Sequence, residues 1–553
     1  MEQTRLLLAI LLTFLVFVAW EFFFSPRPEM TAPPEPAQPT APAKPAEKPA
    51  PPVAEAPAAP SGGSTMPSPA PAAGTDRLIT VETPMYTIVL NENEGLIQSL
   101  TLKQYRESVA EGAERKALID SDKVNNNLRF GFEGGSVPGL DGAVYTLQGD
   151  SDQVMVKDKP EQVVLVWTSP SGIEIRKSLT FHPDTYLIDI TVQVFNRGAG
   201  PIQDKATLAV SRVMDESPSR VVFEGLSGVI DDTLKEIGVG DIEDDEGSAG
   251  QIEWVGIVDR YFMSALIPAE KTSARMQVAK GAFNTVTNTL VMDAVNIPVG
   301  QDQSFSYMAF YGPKNTNLLR AYGHNLAKAI NFGWFDFLAK PALWFMNLIY
   351  SVIPNYGIAI ILLTVMTKII LWPLGNKSYK SMSEMKRMQP LMAEIREKYK
   401  DDKKKMNEEM MGLYRTYKIN PMGGCLPMLV QLPVFLALYN MLYGAIELRH
   451  APFIGWINDL SSPDRLFSFG FSIPFMEPPY GIPVLTVIMG ATMFLQQKMS
   501  PPPGDPAQAK IMLFLPLIFT FIFINFPAGL VLYWLVNNIL SIAQQYYVQK
   551  KYA

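Results

Sequence analysis

Apolar residues are distributed differently in the two parts of the chain. Between residues 78 and 311 they alternate with polar residues in short runs, whereas after residue 356 they form long runs. Alternation with a period of two is typical of half-buried β-strands, and about 20 consecutive apolar residues are needed for a helix to cross a bilayer. The pattern therefore predicts a β-rich globular domain followed by a helical membrane region.

The predicted β-domain covers residues 76–313. Its clearest strand is Tyr186–Phe195. The apolar residues on one face of that strand are Ile188, Ile190, Val192 and Val194. Tyr86–Leu90 and Leu96–Leu102 flank a polar turn and predict a hairpin. Further runs of this kind are Ile173–Phe181, Phe283–Met292 and Ser304–Tyr311. Many strands with polar turns predict a large β-sandwich, in which the acidic stretch Asp231–Asp245 is expected to be a solvated loop.

Six membrane spans are predicted. The first, residues 1–24, is interpreted as an uncleaved signal anchor because its apolar run has no clear cleavage site, and a Pro- and Ala-rich flexible linker follows at residues 25–75. The other five spans are residues 356–374, 425–446, 482–499, 511–526 and 529–548. A connecting helix and an interfacial helix are expected at residues 314–355, loops at 447–481 and 500–510, and a tail at 549–553. The predicted fold class is a multi-domain membrane protein, with an all-α polytopic core and an outer all-β domain.

Positive charges predict the orientation of these spans. Residues 375–424 contain many Lys and Arg, while the loop at residues 447–481 contains only Arg449 and Arg465. Positively charged loops stay in the cytoplasm, so both termini are predicted to be cytoplasmic and the β-domain to lie outside. A net charge of −7 argues against DNA as a partner. One cysteine, Cys425, and three widely spaced histidines argue against a disulfide framework and a His-based metal site.

Lys368 is the most unusual residue of the membrane region, because it lies inside the predicted span 356–374. An ammonium group at mid-membrane costs roughly 2.5–3.5 kcal/mol, so such a residue normally faces water, a partner or a substrate. Two interpretations stay open: the side chain reaches the headgroups at the cytoplasmic edge, or it faces a wet cavity between helices. The other polar residues that could line such a cavity are Thr364, Gln431, Asn440, Gln496, Gln497, Asn537, Asn538, Gln544 and Gln545, and Trp534 is assigned to the same groove. Hydrogen bonding between helices is the alternative role of the Gln and Asn side chains.

Residues 375–424 predict a basic helical hairpin. Apolar residues recur at helical spacing on both sides of Asp401 and Asp402, which can turn the chain and cap the second helix. The basic residues proposed to contact substrate or ribosome are Lys386, Arg387, Lys403, Lys404 and Lys405. A topology signal or a patch for anionic lipid is an equally sufficient explanation of these charges. No phosphate-binding loop and no catalytic signature occurs in the sequence, so no enzyme activity and no cofactor are expected.

Four stretches resemble the YidC membrane-protein insertases of Gram-negative bacteria. They are NPMGGCLP at residues 420–427, QLPVFLALY at 431–439, QKMSP at 497–501 and FPAGLVLY at 526–533. The resemblance implies that five of the six spans form the insertase core around a hydrophilic groove, which opens to the cytoplasm and to lipid. It implies a periplasmic β-supersandwich, and a groove cation at the position of Lys368, where the family usually has arginine.

The same resemblance implies the partners and the location. Nascent inner-membrane proteins are the expected substrates, with Sec translocon components, a ribosome or targeting receptor, and anionic lipids as further partners. The chain is expected in the bacterial inner membrane. Two alternatives remain: a membrane-anchored periplasmic sugar-binding or mutarotase-like protein, which the β-sandwich permits, and a transporter, for which no paired inverted repeats are seen.

Overall fold

A computed structural model describes residues 77–120, 126–149, 151–214, 221–242, 247–417, 426–500 and 506–552. The predicted first span and the linker at residues 25–75 lie outside these ranges. The described residues form a β-domain followed by a helical region.

The β-domain consists of two sheets in which most neighbouring strands are antiparallel. The strands are β1 (Leu78–Glu82), β2 (Tyr86–Asn91), β3 (Leu96–Arg106), β4 (Arg115–Ile119), β5 (Arg129–Phe132), β6 (Thr146–Leu147), β7 (Gln153–Met155), β8 (Glu161–Thr168), β9 (Ile173–Phe181), β10 (Leu187–Asn196), β11 (Ile202–Val213), β12 (Gly225–Ile230), β13 (Thr233–Gly238), β14 (Gly247–Val258), β15 (Phe262–Pro268), β16 (Thr272–Lys280), β17 (Thr285–Ile297) and β18 (Asp302–Pro313). The smaller sheet has the order β4-β3-β2-β1-β7. The larger, 13-stranded sheet runs β5-β11-β17-β16-β14-β15-β18-β10-β9-β8-β6, with β12 joined to β14 and β13 to β12. The predicted large β-sandwich is confirmed.

The alternation of apolar and polar residues decides which faces of the strands form the core of this domain. On β10 the residues Ile188, Ile190, Val192 and Val194 are buried, as their spacing predicts. The predicted hairpin is also present, because β2 pairs with β3 in antiparallel register from Tyr86 opposite Leu102. These elements follow from local sequence, since a period of two places alternate side chains on one face.

The acidic stretch Asp231–Asp245 is not a simple loop, so that prediction was wrong. Residues Thr233–Gly238 form β13, which pairs with β12 from Thr233 opposite Ile230 to Gly238 opposite Gly225. Leu234 and Ile237 of this strand pack against the core. Apolar contacts and ladder hydrogen bonds therefore outweigh the charge of the neighbouring carboxylates.

Lys177 joins the two sheets from inside the core. It lies on β9 with no exposed surface, and its Nζ donates to the carbonyl oxygens of Gly95 and Leu128 at 2.9 Å and of Glu94 at 3.3 Å. Gly95 ends the turn before β3 in the smaller sheet, and Leu128 precedes β5 in the larger one. Burial lowers the pKa of Lys177 to about 7, because desolvation disfavours the charged ammonium.

The helical region begins after β18. Its helices are α1 (Thr316–Tyr322), α2 (Asp336–Val352), α3 (Tyr356–Arg387), α4 (Gln389–Lys398), α5 (Lys403–Thr416), α6 (Leu426–Gly444), α7 (Val484–Met499), α8 (Pro506–Ile522) and α9 (Ala528–Tyr552). Within the described ranges, α3 is the one helix both long and apolar enough to cross a membrane, and Lys510–Asn525 is a shorter apolar helix. A helical region is thus confirmed, whereas the number of six spans stays a prediction.

Helix α3 continues beyond the predicted end of its span at residue 374. It runs without a break to Arg387 and so includes the first part of the predicted cytoplasmic hairpin. The predicted cap is observed at the start of α5, where Asp402 Oδ1 accepts a hydrogen bond from the backbone N–H of Lys405 at 3.0 Å. The hairpin is held by Met388 and Met392, which are buried against Met410, Leu413 and Tyr414.

The carboxyl end of α6 is attached to the β-domain. Arg260, in the turn before β15, donates from Nε to the carbonyl oxygen of Tyr443 at 2.8 Å, and its guanidinium lies 3.7 Å from the centroid of the Tyr443 ring. Arg449 donates to the carbonyl oxygen of Arg106 at the end of β3. The carboxyl end of α6 and the residues that follow it therefore lie next to the β-domain.

Gly490 permits the close approach of α7 and α8. A Cβ added there would lie 1.9 Å from Oγ1 of Thr520. We expect Gly490→Ala to destabilise the protein by about 1–3 kcal/mol, since the two helices must separate. Thermal unfolding of the full chain in detergent measures this. Gly412→Ala on α5 is the matched control, because its added methyl group meets nothing within 4 Å. Equal stability of the two variants would contradict the expected contact.

Candidate functional site

Lys368 lies on the face of α3 that packs against α9. Its Nζ donates to Oγ of Ser541 at 2.7 Å, and Ser541 in turn donates to the carbonyl oxygen of Asn537 at 2.7 Å. The lysine is partly buried, and no carboxylate of the described residues pairs with it. A cation in this position has its hydrogen bonding partly met and its charge unmatched by the described part of the chain.

Helix α9 connects this lysine to two further helices. Gln431 of α6 donates from Nε2 to Oδ1 of Asn537 at 3.2 Å. Asn538 donates from Nδ2 to Oγ1 of Thr492 on α7 at 3.3 Å. Four helices thus contribute polar side chains that meet along one helix. We call the set Lys368, Gln431, Thr492, Asn537, Asn538 and Ser541 the polar track.

Two further buried glutamines lie beyond the polar track, towards the carboxyl end of α9. Gln544 donates from Nε2 to the carbonyl oxygen of Trp372 and to Oδ1 of Asn376, both at 3.0 Å. Gln545 is also buried, and among the described residues neither its amide nitrogen nor its amide oxygen has a hydrogen-bond partner. Buried amides without partners are rare in proteins, so Gln545 retains the capacity to bond a further polar group.

Two predicted groove residues have other surroundings. Thr364 has no exposed surface, and its hydroxyl donates to the carbonyl oxygen of Ile360 in its own helix at 2.7 Å. Asn440 donates to the carbonyl oxygen of Phe332 at 2.9 Å. It lies nine residues after Gln431 on α6, which is about 14 Å along the helix axis towards the β-domain. The structure does not bring these two side chains onto the polar track.

Trp534 belongs to an aromatic cluster next to the polar track. The centroid of its ring lies 4.6 Å from the ring centroid of Phe435 and 4.8 Å from that of Phe523, and both contacts are edge-to-face. Trp534 is three residues before Asn537 on α9, so it lies about one helical turn from the track. The cluster gives the track an apolar neighbour on the side of α6 and of the turn that follows α8.

The predicted basic residues form two groups. Lys386 and Arg387 are exposed at the end of α3, and Lys404 and Lys405 are exposed in the first turn of α5. Lys403 begins α5, although its side chain is outside the described part. The ten residues of α4 separate the groups, a length of about 15 Å.

Ser541 and Thr492 were missed by the sequence reasoning. Ser541 follows Asn537 by four residues and precedes Gln544 by three. That spacing places the three on one helix face, so the stripe was detectable. Thr492 carried no such signal, because its role depends on how α7 packs against α9.

Comparisons with known proteins cover almost the whole chain. The family described as 60Kd inner membrane protein matches residues 348–553, and the YidC periplasmic domain matches residues 78–345. A protein of Syntrophus aciditrophicus named "Membrane protein insertase YidC" is 40% identical over 99% of this chain and 99% of its own length. A protein of Geobacter sulfurreducens with the same name is 40% identical over 99% of this chain and 98% of its own.

A solved structure is also similar. The crystal structure described as an active YidC insertase with the first transmembrane domain resolved has 20% sequence identity and a TM-score of 0.38, and it covers 86% of this chain and 93% of that chain. The two family models together span both the β-domain and the helical region, and full-length relatives exceed one third identity. The chain therefore belongs to the YidC family of membrane protein insertases.

Proposed function

We propose that this chain inserts membrane proteins into the inner membrane by receiving the polar tail of its substrate on the polar track, with Lys368 as counter-charge. The observation that carries the proposal is the contact of Lys368 Nζ with Ser541, 2.7 Å long and without a carboxylate partner in the described ranges. Insertion transfers a polypeptide from water to lipid without making or breaking a covalent bond. The protein is accordingly not an enzyme.

The acidic residue of an incoming tail would replace Ser541 as the partner of Lys368. Two opposite charges about 4 Å apart attract by about 4 kcal/mol at an effective dielectric constant of about 20, which exceeds a single neutral hydrogen bond. Ser541 can return to the lysine when the tail leaves, since its own hydroxyl proton is donated to Asn537. The lysine would therefore serve as a reusable landing point and not as an acid, base or nucleophile.

The apolar part of the substrate would move along exposed apolar faces of the helices. Side chains of α3 and α8 provide such a surface: Ile369, Ile370, Phe514 and Leu517 are each exposed. The gain from transferring the apolar segment into lipid then drives release. The amides of Gln431 and Gln545 would offer exchangeable hydrogen bonds to the polar tail on its way.

We propose further partners from the positions of the basic residues. The basic groups at both ends of α4 suit RNA phosphate or anionic lipid, so a ribosome, a targeting receptor or lipid would meet the chain there. In this arrangement the chain crosses the membrane six times with both termini in the cytoplasm, and Sec components act beside it. We also propose the domain boundaries given from the sequence, and we propose Thr364 and Asn440 as groove residues that lie outside the polar track.

A periplasmic sugar-binding or mutarotase-like function is not favoured, because relatives with the insertase name align over their full length. Deletion of residues 78–311 distinguishes the two functions. We expect most insertion activity to remain in the shortened protein, whereas a sugar-binding function would be lost completely.

Site-specific crosslinking of a ribosome-bound nascent chain tests the proposal directly. A photo-reactive amino acid is placed at Lys368, Gln431 or Trp534, and at exposed Ser304 on β18 as control. We expect adducts from the three helical positions and none from Ser304. Adducts from the β-domain alone would contradict the proposed path.

A further inference from the structure

An uncharged loop between α6 and α7 exposes several phenylalanines. The eleven residues Leu466–Met476, which we call the aromatic loop, contain no charged residue and four phenylalanines. Phe467 is 68% exposed, Phe471 is 65% exposed and Phe475 is 55% exposed. So concentrated an apolar surface is uncommon in water and marks an interaction site.

Hydrogen bonds hold the backbone of this loop in place. Leu466 and Ile482 exchange two backbone hydrogen bonds of 2.9 Å, and Phe469 donates to the carbonyl oxygen of Tyr480 at 2.9 Å. At its base, Arg465 donates to the carbonyl oxygens of Pro479 at 2.9 Å and Ile524 at 2.8 Å. The rings are therefore exposed in a backbone conformation that hydrogen bonds hold in place.

The conformation is also locally unfavourable for bulky residues. Phe467 has φ of 61° and Phe475 has φ of 65°, in the left-handed region that disfavours side chains with a Cβ. Gly481 is needed opposite, because a Cβ there would lie 2.2 Å from the carbonyl oxygen of Phe467. Such strain persists where the surrounding structure fixes it, often at sites of interaction.

The aromatic loop continues the apolar surface of α8. Phe475 makes an edge-to-face contact with Phe521 at 5.4 Å between ring centroids. Phe514, Leu517 and Phe521 of α8 are exposed. The loop follows the end of α6 that Arg260 and Arg449 attach to the β-domain, so it lies on the periplasmic side.

We propose that the aromatic loop inserts its phenylalanines into the periplasmic leaflet of the inner membrane, at the boundary of headgroups and acyl chains. The inference goes beyond the proposed insertase function and shares with it the assignment of α8 as a membrane span. Segments that lie in the membrane interface bury Phe, Trp and Leu side chains at this boundary, and small polar residues such as Ser468 and Ser472 between the rings tolerate the headgroups. The nearest charges, Arg465 and Glu477, stand at the two ends of the loop and so need not enter lipid.

Depth measurement with a lipid-bound quencher tests this proposal. In a Cys425→Ser background, Ser468→Cys or Ser472→Cys carries an environment-sensitive NBD dye, and the full chain is placed in nanodiscs of phosphatidylethanolamine and phosphatidylglycerol. Ser304→Cys on β18 is the matched exposed control. We expect a blue-shifted emission at 468 and 472, with quenching about two- to fivefold stronger by a spin label near the headgroup than by one deep in the chain.

Removing two of the exposed rings provides a second test. Phe467→Asn together with Phe471→Ser removes two exposed rings while leaving Phe475 on Phe521, and asparagine tolerates the left-handed backbone. This pair should abolish most of the lipid quenching at 472. Emission equal to that of the control overturns the proposal. A blue shift without lipid quenching also overturns it, because a second copy of the chain or a substrate would then cover the loop.

Discussion

Replacing Lys368 with glutamate is expected to block insertion of substrates that carry an acidic residue in their translocated tail. The change turns an attraction into a repulsion, and we expect a loss of about 10- to 100-fold in insertion rate. Lys368→Arg should keep most activity because it keeps the charge, although the planar guanidinium changes how Ser541 is contacted. Protease protection of a reporter protein in proteoliposomes measures the inserted fraction.

Lys377→Glu is the control for this series, because Lys377 is exposed on the same helix nine residues further on. It changes net charge equally and should leave insertion within about twofold of the wild type, as expected for an exposed charge screened by salt. Substrates with a neutral tail should also be little affected by Lys368→Glu. If both variants fail alike, the effect is one of general charge and not of the polar track.

Replacing Lys177 with methionine is expected to destabilise the β-domain by about 2–4 kcal/mol, because three buried carbonyl oxygens lose their donor. The affected carbonyls belong to Glu94, Gly95 and Leu128. Urea unfolding of the full chain, followed by near-ultraviolet circular dichroism, measures the change. Lys280→Met is the control, since Lys280 is exposed at the end of β16, and it should have little effect.

The stability of the wild type should also depend on pH through Lys177. Its pKa of about 7 in the folded chain lies below the ordinary value of 10.5, so between these values the unfolded chain binds one more proton. The free energy of unfolding therefore rises with pH above about 7, by up to about 1.4 kcal/mol per unit, and is flat below it. Lys177→Met should lack this slope, and an unchanged slope would assign the pH dependence to other groups.

Local patterns allowed much of the fold to be predicted. The strand at β10 and the β2–β3 hairpin follow from alternation and turn residues, which act over a few positions. The cap at Asp402 is equally local. The predicted span ends at residue 374, whereas α3 continues, because the charges after residue 374 mark the end of an apolar run and not of a helix. Lys, Met, Glu and Arg all favour helix, so α3 continues to Arg387.

The candidate site was only partly accessible from the sequence. Lys368 was identifiable because a charge in an apolar run is costly, and Gln431, Asn537 and Asn538 because they interrupt similar runs. The partner of Lys368 depends on how α3 packs against α9, because Lys368 and Ser541 are 173 residues apart in sequence. The same non-local packing directs Asn440 to Phe332 and away from the polar track.

Exchange of both charges tests whether Lys368 acts through its charge on an acidic group of the substrate. Insertion is measured for wild type and Lys368→Glu, each with a reporter whose tail carries either one aspartate or one lysine at the same position. We expect the wild type to prefer the aspartate tail and Lys368→Glu to reverse the preference in favour of the lysine tail. The same order of the two tails for both proteins would contradict this expectation.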